Sequence, residues 1–315
     1  MLKHPTTKFY RRTSQLLLIL VLLLSCSFTT ALLITRSGYQ KKLQALSNRL
    51  EEETALQQQE DKPQDTPPRE VESTAAAWEP EVLDYASLFP NLYVEPPTKR
   101  EVAEKTVYLT FDDGPSPLTP QVLDILKEKQ VKATFFVTGQ EGEQAKERMQ
   151  RIVSEGHAIG VHTYSHDYRQ IYQTVDTFLE DFDKEFRLIE GYTGVKPKIF
   201  RFAGGSINAF NMDNYHMIIG EMIRRGFTYF DWNVSAQDAS KKATKQSIHD
   251  SIICGAKDKN RCIILLHDSG DKADTIAVLP QVIDTLKSQG YTFAPLTNEV
   301  QPIVFPYERL DQCKK

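Results

Sequence analysis

The sequence predicts an α/β domain on a mostly parallel sheet, and three observations predict it. From Val102 onward, short apolar runs alternate with longer stretches of helical periodicity. Several of the helical stretches stop on a glycine just ahead of the next strand, as in Glu155-Gly156, Arg225-Gly226 and Gln289-Gly290. Polar residues gather where the apolar runs end. Strands alternating with helices imply parallel pairing, in an open doubly wound sheet or a (β/α) barrel. In a barrel, functional groups sit at the C-terminal ends of the strands.

The expected strands are 107–111, 133–137, 158–162, 199–202, 228–231, 262–267 and 291–295. The expected helices are 119–129, 144–155, 174–191, 215–225, 245–253 and 275–289. The first strand, Tyr108-Leu-Thr-Phe111, is β-branched and aromatic, as a buried strand should be. It stops on Asp112-Asp113, and Gly114-Pro115 then forces a turn. Neighbouring side chains at a strand end diverge, so one carboxylate can bind a cation while the other stays free to accept a proton.

At 315 residues the chain has room for one large domain plus extras. Its net charge of −4 and the lack of a basic stripe with interleaved aromatics exclude a nucleic-acid partner. Without GxGxxG or a P-loop, a nucleotide partner is not expected either. Four cysteines (Cys26, Cys254, Cys262, Cys313) are too few and too scattered for a disulfide scaffold or a Cys-based zinc site, though a Cys254–Cys262 bridge would suit a domain outside the cell.

Residues 16–34 are almost wholly apolar and uncharged, about the length that crosses a bilayer as a helix. Lys3, Lys8, Arg11 and Arg12 precede them with no acidic residue, so the positive-inside rule leaves the N-terminus cytoplasmic. An uncleaved signal anchor is the reading adopted. The rivals are a signal peptide cleaved near Thr29-Thr30-Ala31 and a lipoprotein box at Leu23-Leu24-Ser25-Cys26. All three put the bulk of the chain beyond the membrane. Residues 40–60 are rich in Gln, Glu and Lys, with Leu43, Leu46 and Leu50 at helical spacing, and residues 61–80 are polar and Pro-rich. The expected organisation is a cytoplasmic N-terminus (1–15), a transmembrane anchor (16–35), a stalk (36–100), a folded domain (101–300) and a tail (301–315).

The third strand runs into His162-Thr-Tyr-Ser-His166. Histidines four apart fit one face of a helical turn, close enough to share a cation. With a carboxylate they make a His-His-Asp set, and three protein ligands with an open position is the pattern of a catalytic zinc. The later strand ends are Arg201-Phe-Ala-Gly-Gly-Ser206, Trp232-Asn-Val-Ser-Ala-Gln-Asp238 and Leu265-Leu-His267-Asp268. His157, His216 and His249 fit no motif and read as structural or solvated.

In this order, Asp112-Asp113-Gly-Pro, His162-x-x-x-His166, the Arg201-led glycine loop, Asp238 after a Trp-bearing strand and the Leu265-x-His267 end resemble the polysaccharide deacetylase family. These are the NodB-homology domains of carbohydrate esterase family 4, which strip acetyl groups from sugars. The resemblance covers about 102–295. It implies a distorted (β/α) barrel with Asp112 as general base and Asp113, His162 and His166 as metal ligands. It further implies His267 as general acid tuned by Asp238, and Arg201 orienting Asp112. Gly204 or Gly205 would then offer a backbone N–H to the oxyanion, with Leu265 and Trp232 near the substrate.

Two departures stand out. The family's Arg-x-Pro-aromatic-Gly reads Arg201-Phe202-Ala203-Gly204-Gly205 here, and its Asp-Trp reads Asp238-Ala239. Loop rigidity and sugar contacts are therefore in question, and the groove should be more open. The implied protein is a membrane-anchored, extracytoplasmic deacetylase dependent on a divalent metal, with Zn2+ favoured and Co2+ an alternative. Its implied partner is an acetylated polysaccharide, with peptidoglycan favoured over chitin oligosaccharides, O-acetyl xylan or exopolysaccharide. A catalytically silent sugar- or wall-binding module is the alternative reading.

Overall fold

The computed structural model describes Tyr85 and residues 87–306. The expected anchor and most of the expected stalk lie outside those residues. Among the described residues, no helix is long and apolar enough to cross a membrane.

The elements follow one another as β1 (Thr106–Gly114), α1 (Thr119–Glu128), β2 (Thr134–Thr138), α2 (Glu143–Ser154), β3 (Ala158–Thr163), α3 (Tyr168–Ile171) and α4 (Val175–Thr193). There follow β4 (Ile199–Phe200), α5 (Tyr215–Arg224), β5 (Thr228–Tyr229), β6 (Val234–Ser235), α6 (Lys245–Ala256), β7 (Arg261–His267), α7 (Ala273–Ser288) and β8 (Thr292–Phe293). Every pairing is parallel, in the order β5-β4-β3-β2-β1-β7-β6, with β8 alongside the start of β1.

β5 and β6 end that order on opposite edges, yet only residues 230–233 join them. Such a link spans roughly 18 Å at most, so the sheet must curl until its edges approach. Phe230 N–H bonds back to Phe200 O and Asn233 N–H to Ile263 O, each toward its own side. The result is a curled parallel sheet left open between β5 and β6, in place of a barrel closed by hydrogen bonds.

The side-chain period of two then sorts residues to two faces. Val107, Leu109 and Phe111 join the core under the helices, as do Cys262, Ile264 and Leu266 of β7. Tyr108, Phe136, Ile199, Phe230 and Ile263 form a second cluster inside the curl. Following that inner face toward the strand C-termini leads from Tyr108 to Thr110 and Asp112, from Ile263 to Leu265 and His267, and from Ile199 to Arg201. The candidate residues sit at the open end because their strands stop there in phase. β1 and β7 pair with Asp112 opposite His267.

Five expectations need correction. Cys254 is exposed and Cys262 is buried in β7, and both thiols are free, so there is no bridge. His162 and His166 do not share a helical turn, because His162 is inside β3 while His166 follows it in a loop with φ 55°. α3 and β6 were not expected, since a four-residue helix and a two-residue strand carry too little periodicity to register. The body also begins before residue 101. Leu92 is fully buried, and Arg225 donates to the carbonyls of Tyr85, Leu88, Phe89 and Leu92 while its Nε bonds Glu221. Part of the expected tail belongs to the body as well, since Asp231 N–H bonds Ile303 O.

Candidate active site

β1 carries a bulge at Asp113: Asp112 opposes Phe136, Gly114 opposes Val137, and Asp113 is the extra residue, at φ 71°. A regular strand would send consecutive carboxylates to opposite faces. The bulge turns Asp113 back, so that both serve one site.

Asp112 points inward and is buried against Arg201, which is itself 0% exposed, with Nη1 to Oδ1 2.9 Å. Three further guanidinium donors meet Thr110 Oγ1 at 2.6 Å, Phe230 O at 2.9 Å and Asp231 O at 3.2 Å. The Arg201 Cζ lies 4.5 Å from the Phe136 ring centre and 5.7 Å from that of Trp232. Such a pair is stable in a dry interior only when its donors are satisfied in this way.

Asp113 Oδ1 stands 3.4 Å from His162 Nε2 and 3.2 Å from His166 Nε2, and it is a buried oxygen with no hydrogen-bond partner. His162 Nδ1–H donates to Arg201 O at 2.8 Å, which leaves Nε2 with its lone pair toward Asp113. The three ligand atoms lie within 4.8 Å of one another. Burial alone would push the Asp113 carboxyl up, but the facing imidazoles outweigh it and hold Asp113 well below the usual carboxylate range. Burial would likewise lower His162, yet Asp112 and Asp113 raise it. Two imidazoles and an orphaned carboxylate oxygen are the donor set of a divalent cation site.

His267 Nδ1 donates to Asp238 Oδ1 at 2.8 Å. Asp238 is buried, and its other oxygen accepts the His267 backbone N–H at 2.9 Å and the Thr275 hydroxyl at 3.0 Å. Burial pushes the His267 imidazole down, but the Asp238 bond and charge, with Asp112 and Asp113 behind them, leave it raised. Leu265 is buried one inward position before His267.

In the glycine loop, Gly205 N–H donates to Phe202 O at 2.9 Å, so it is spent inside the turn, and of the two only Gly204 has an N–H left for an oxyanion. The missing proline is compensated, because Ala203 O accepts the Tyr172 hydroxyl at 2.8 Å and the Asn208 amide at 3.1 Å. Gly205 also makes room for aromatics: a Cβ there would meet Phe305 at 2.5 Å and Trp232 at 3.3 Å. These two rings stand edge to face at 4.9 Å. Ala239 borders a cavity of about 280 Å³ that also touches Asp238 and Thr275, so the ground next to it is open.

Several site residues escaped the sequence reading. Asp231 accepts the Ser206 N–H at 2.8 Å, the Ser206 hydroxyl at 2.5 Å and the Phe305 N–H at 2.7 Å, tying the glycine loop to the C-terminal segment. A carboxylate at a strand end was the available signal for it. Asp268, whose carboxyl burial pushes up to about 7, accepts the Ser116 and Thr119 hydroxyls and braces the turn after Asp113. Nothing in the sequence pointed to Phe305. His157, as expected, is structural: it is buried, accepts the Ala133 N–H at 3.1 Å, and burial lowers it to about 4.

The chain is similar to known proteins over most of the described residues. The family described as polysaccharide deacetylase matches residues 99–215. A putative polysaccharide deacetylase, YheN, of Bacillus subtilis is 33% identical over 65% of this chain and 72% of its own length. A peptidoglycan-N-acetylglucosamine deacetylase of Bacillus cereus is 32% identical over 62% of this chain and 87% of its own. The crystal structure of the catalytic domain of a peptidoglycan N-acetylglucosamine deacetylase from Eubacterium rectale superposes with a TM-score of 0.62 and 32% identity. It covers 69% of this chain and 98% of that one.

Proposed function

This chain belongs to the polysaccharide deacetylase family, and we propose that it hydrolyses the N-acetyl amide of N-acetylglucosamine units in peptidoglycan, using a divalent cation, Zn2+ in the first instance, held by Asp113, His162 and His166. The observation that carries the reading is the buried, unpartnered Asp113 Oδ1 facing two imidazole nitrogens beside the Arg201–Asp112 pair.

A cation bound there supplies a Lewis acid for the acetyl carbonyl and acidifies a water. Asp112, aligned by Arg201, whose guanidinium is itself held by Thr110 Oγ1, takes a proton from the attacking water. Across the β1–β7 pairing, His267 delivers a proton from Nε2 to the departing amine, while Asp238 on Nδ1 fixes the ring and favours its charged form. Water is thereby added across the amide, giving acetate and a free amino sugar. The Gly204 N–H is the donor for charge developing on the carbonyl oxygen.

The proposal extends to location. Residues 16–34 act as an uncleaved anchor, and the stalk that follows, several tens of residues at up to ~3.3 Å each, carries the domain outward into a cell wall. Recovery of the full chain in the soluble fraction of cells would contradict it.

The chemistry is tested on the full chain. Chelation should abolish acetate release from peptidoglycan and from N-acetylglucosamine oligomers, and added zinc or cobalt should restore it. Asp112→Asn and His267→Ala should each lower kcat on the order of 10²–10⁴-fold. A folded, metal-loaded protein that frees no acetate from either substrate would sink the reading.

A further inference from the structure

A cavity of about 420 Å³ opens beside the proposed ligands, lined by His166, Asp167, Tyr168, Arg169 and Phe210. Only His166 among them has a place in the chemistry above. Two of its walls are aromatic. The Tyr168 ring meets His166 edge to face at 5.2 Å and lies 5.4 Å from the Phe210 ring. Phe210 is 49% exposed, so its ring is open to a ligand.

The loop under Phe210 is built to hold it there. Phe210 N–H donates to Asn208 Oδ1 at 2.8 Å, and Asn208 N–H to Asn211 Oδ1 at 2.9 Å. The Asn208 amide reaches the carbonyls of Ala203 and Gly205 at 3.1 Å each, and Asn211 Nδ2 reaches Ser206 O at 3.1 Å. The exposed ring is thus presented by a pre-ordered loop, so little ordering entropy is lost when something lands on it.

Tyr168 also fills a specific place. Gly204 has φ 76°, and a Cβ on it would come within 2.6 Å of the Tyr168 ring. A side chain at 204 would therefore require the tyrosine ring to move. The glycine at the position where the resembling motif carries an aromatic is matched by an aromatic arriving from α3.

We infer that Tyr168 and Phe210 form a pyranose-binding subsite, which seats the sugar neighbouring the one being deacetylated. The inference rests on the deacetylase reading. A pyranose presents C–H faces to aromatic rings and hydroxyls at its edge, and this cavity pairs two rings with Arg169 and with Asp167, whose Oδ1 caps α3 through the Arg169 N–H and whose other oxygen is left for a hydroxyl. It borders His166, so a sugar seated there is continuous with one whose acetyl group reaches the Asp113, His162 and His166 cluster.

The test compares the full metal-loaded chain with Phe210→Ala, Phe210→Trp and Tyr168→Leu on N-acetylglucosamine oligomers of increasing length. In the unmodified chain kcat/KM should rise with length. Phe210→Ala and Tyr168→Leu should each cut the ratio of long- to short-oligomer kcat/KM by about tenfold, mainly through KM, and Phe210→Trp should restore it. Equal losses on all lengths, or an unchanged ratio, would overturn the subsite. Binding of the same oligomers, titrated in an Asp112→Asn background, separates the two readings. Affinity that falls on adding Phe210→Ala supports the subsite even if the chain releases no acetate, whereas affinity indifferent to Phe210, or no binding by folded protein, overturns it.

Discussion

At Asp238 a single oxygen pair does three things: one oxygen holds the His267 ring, and the other caps the His267 backbone and the Thr275 hydroxyl. An amide in its place would keep the shape and lose the charge. Burial lowers the proton affinity of His267, and the Asp238 hydrogen bond, with the Asp238 charge after it, leaves it raised. An acid must be protonated to act, so activity is lost as pH rises through its pKa. Asp238→Asn should therefore lower kcat and move the alkaline limb of the kcat/KM profile to lower pH. An alkaline limb that stayed in place would show that another group supplies the proton. The same economy of charge holds at Arg201, which is enclosed and answers Asp112, Thr110 and two carbonyls together.

Helix α5 and strand β5 meet at Arg225-Gly226, a junction that fixes more than a turn. Gly226 takes φ 90°, and a Cβ there would stand 2.0 Å from Val94 O, while Val94 N–H bonds Arg225 O at 3.0 Å. The glycine thus satisfies a left-handed backbone and a close crossing by the preceding chain. Gly226→Ala should destabilise by about 2–4 kcal/mol, through strain and forced displacement of Val94, read as a lower midpoint in urea at unchanged slope. A midpoint within error of the parent would mean that the crossing yields freely. The loop between β4 and α5 follows the opposite strategy. Without the proline of the resembling motif, Ala203 is held by Tyr172 and Asn208 instead, side chains from outside the motif.

Over the whole molecule, the residues ahead of β1 behave as part of the body. Arg225 is fully enclosed, and four of its acceptors are carbonyls from that leading segment. A chain starting at residue 101 would bare Leu92's socket and leave a buried guanidinium with Glu221 alone. Compared with the full chain it should melt lower, by about 5–10 °C. Equal melting temperatures would show that the clamp contributes nothing net.

Strand and helix order, the glycine stops and the polar strand ends were legible in the sequence because each is local: a period of two or 3.6, or a residue type at a boundary. They led to Asp112, Asp113, His162 and His166, while the family resemblance added Arg201 and His267, and the strand phases place Asp112, Arg201 and His267 on one inner face. Other features were not legible. The bulge that turns Asp113 toward the histidines, the assignment of Gly205 N–H to Phe202, the arrival of Phe305 beside Trp232 and the seating of Tyr168 over Gly204 required the fold. The physical reason is separation along the chain. These arrangements depend on backbone paths that cross only after the sheet has curled, as when Asp231 bonds the amide of Phe305, and no local pattern encodes which distant segment will arrive.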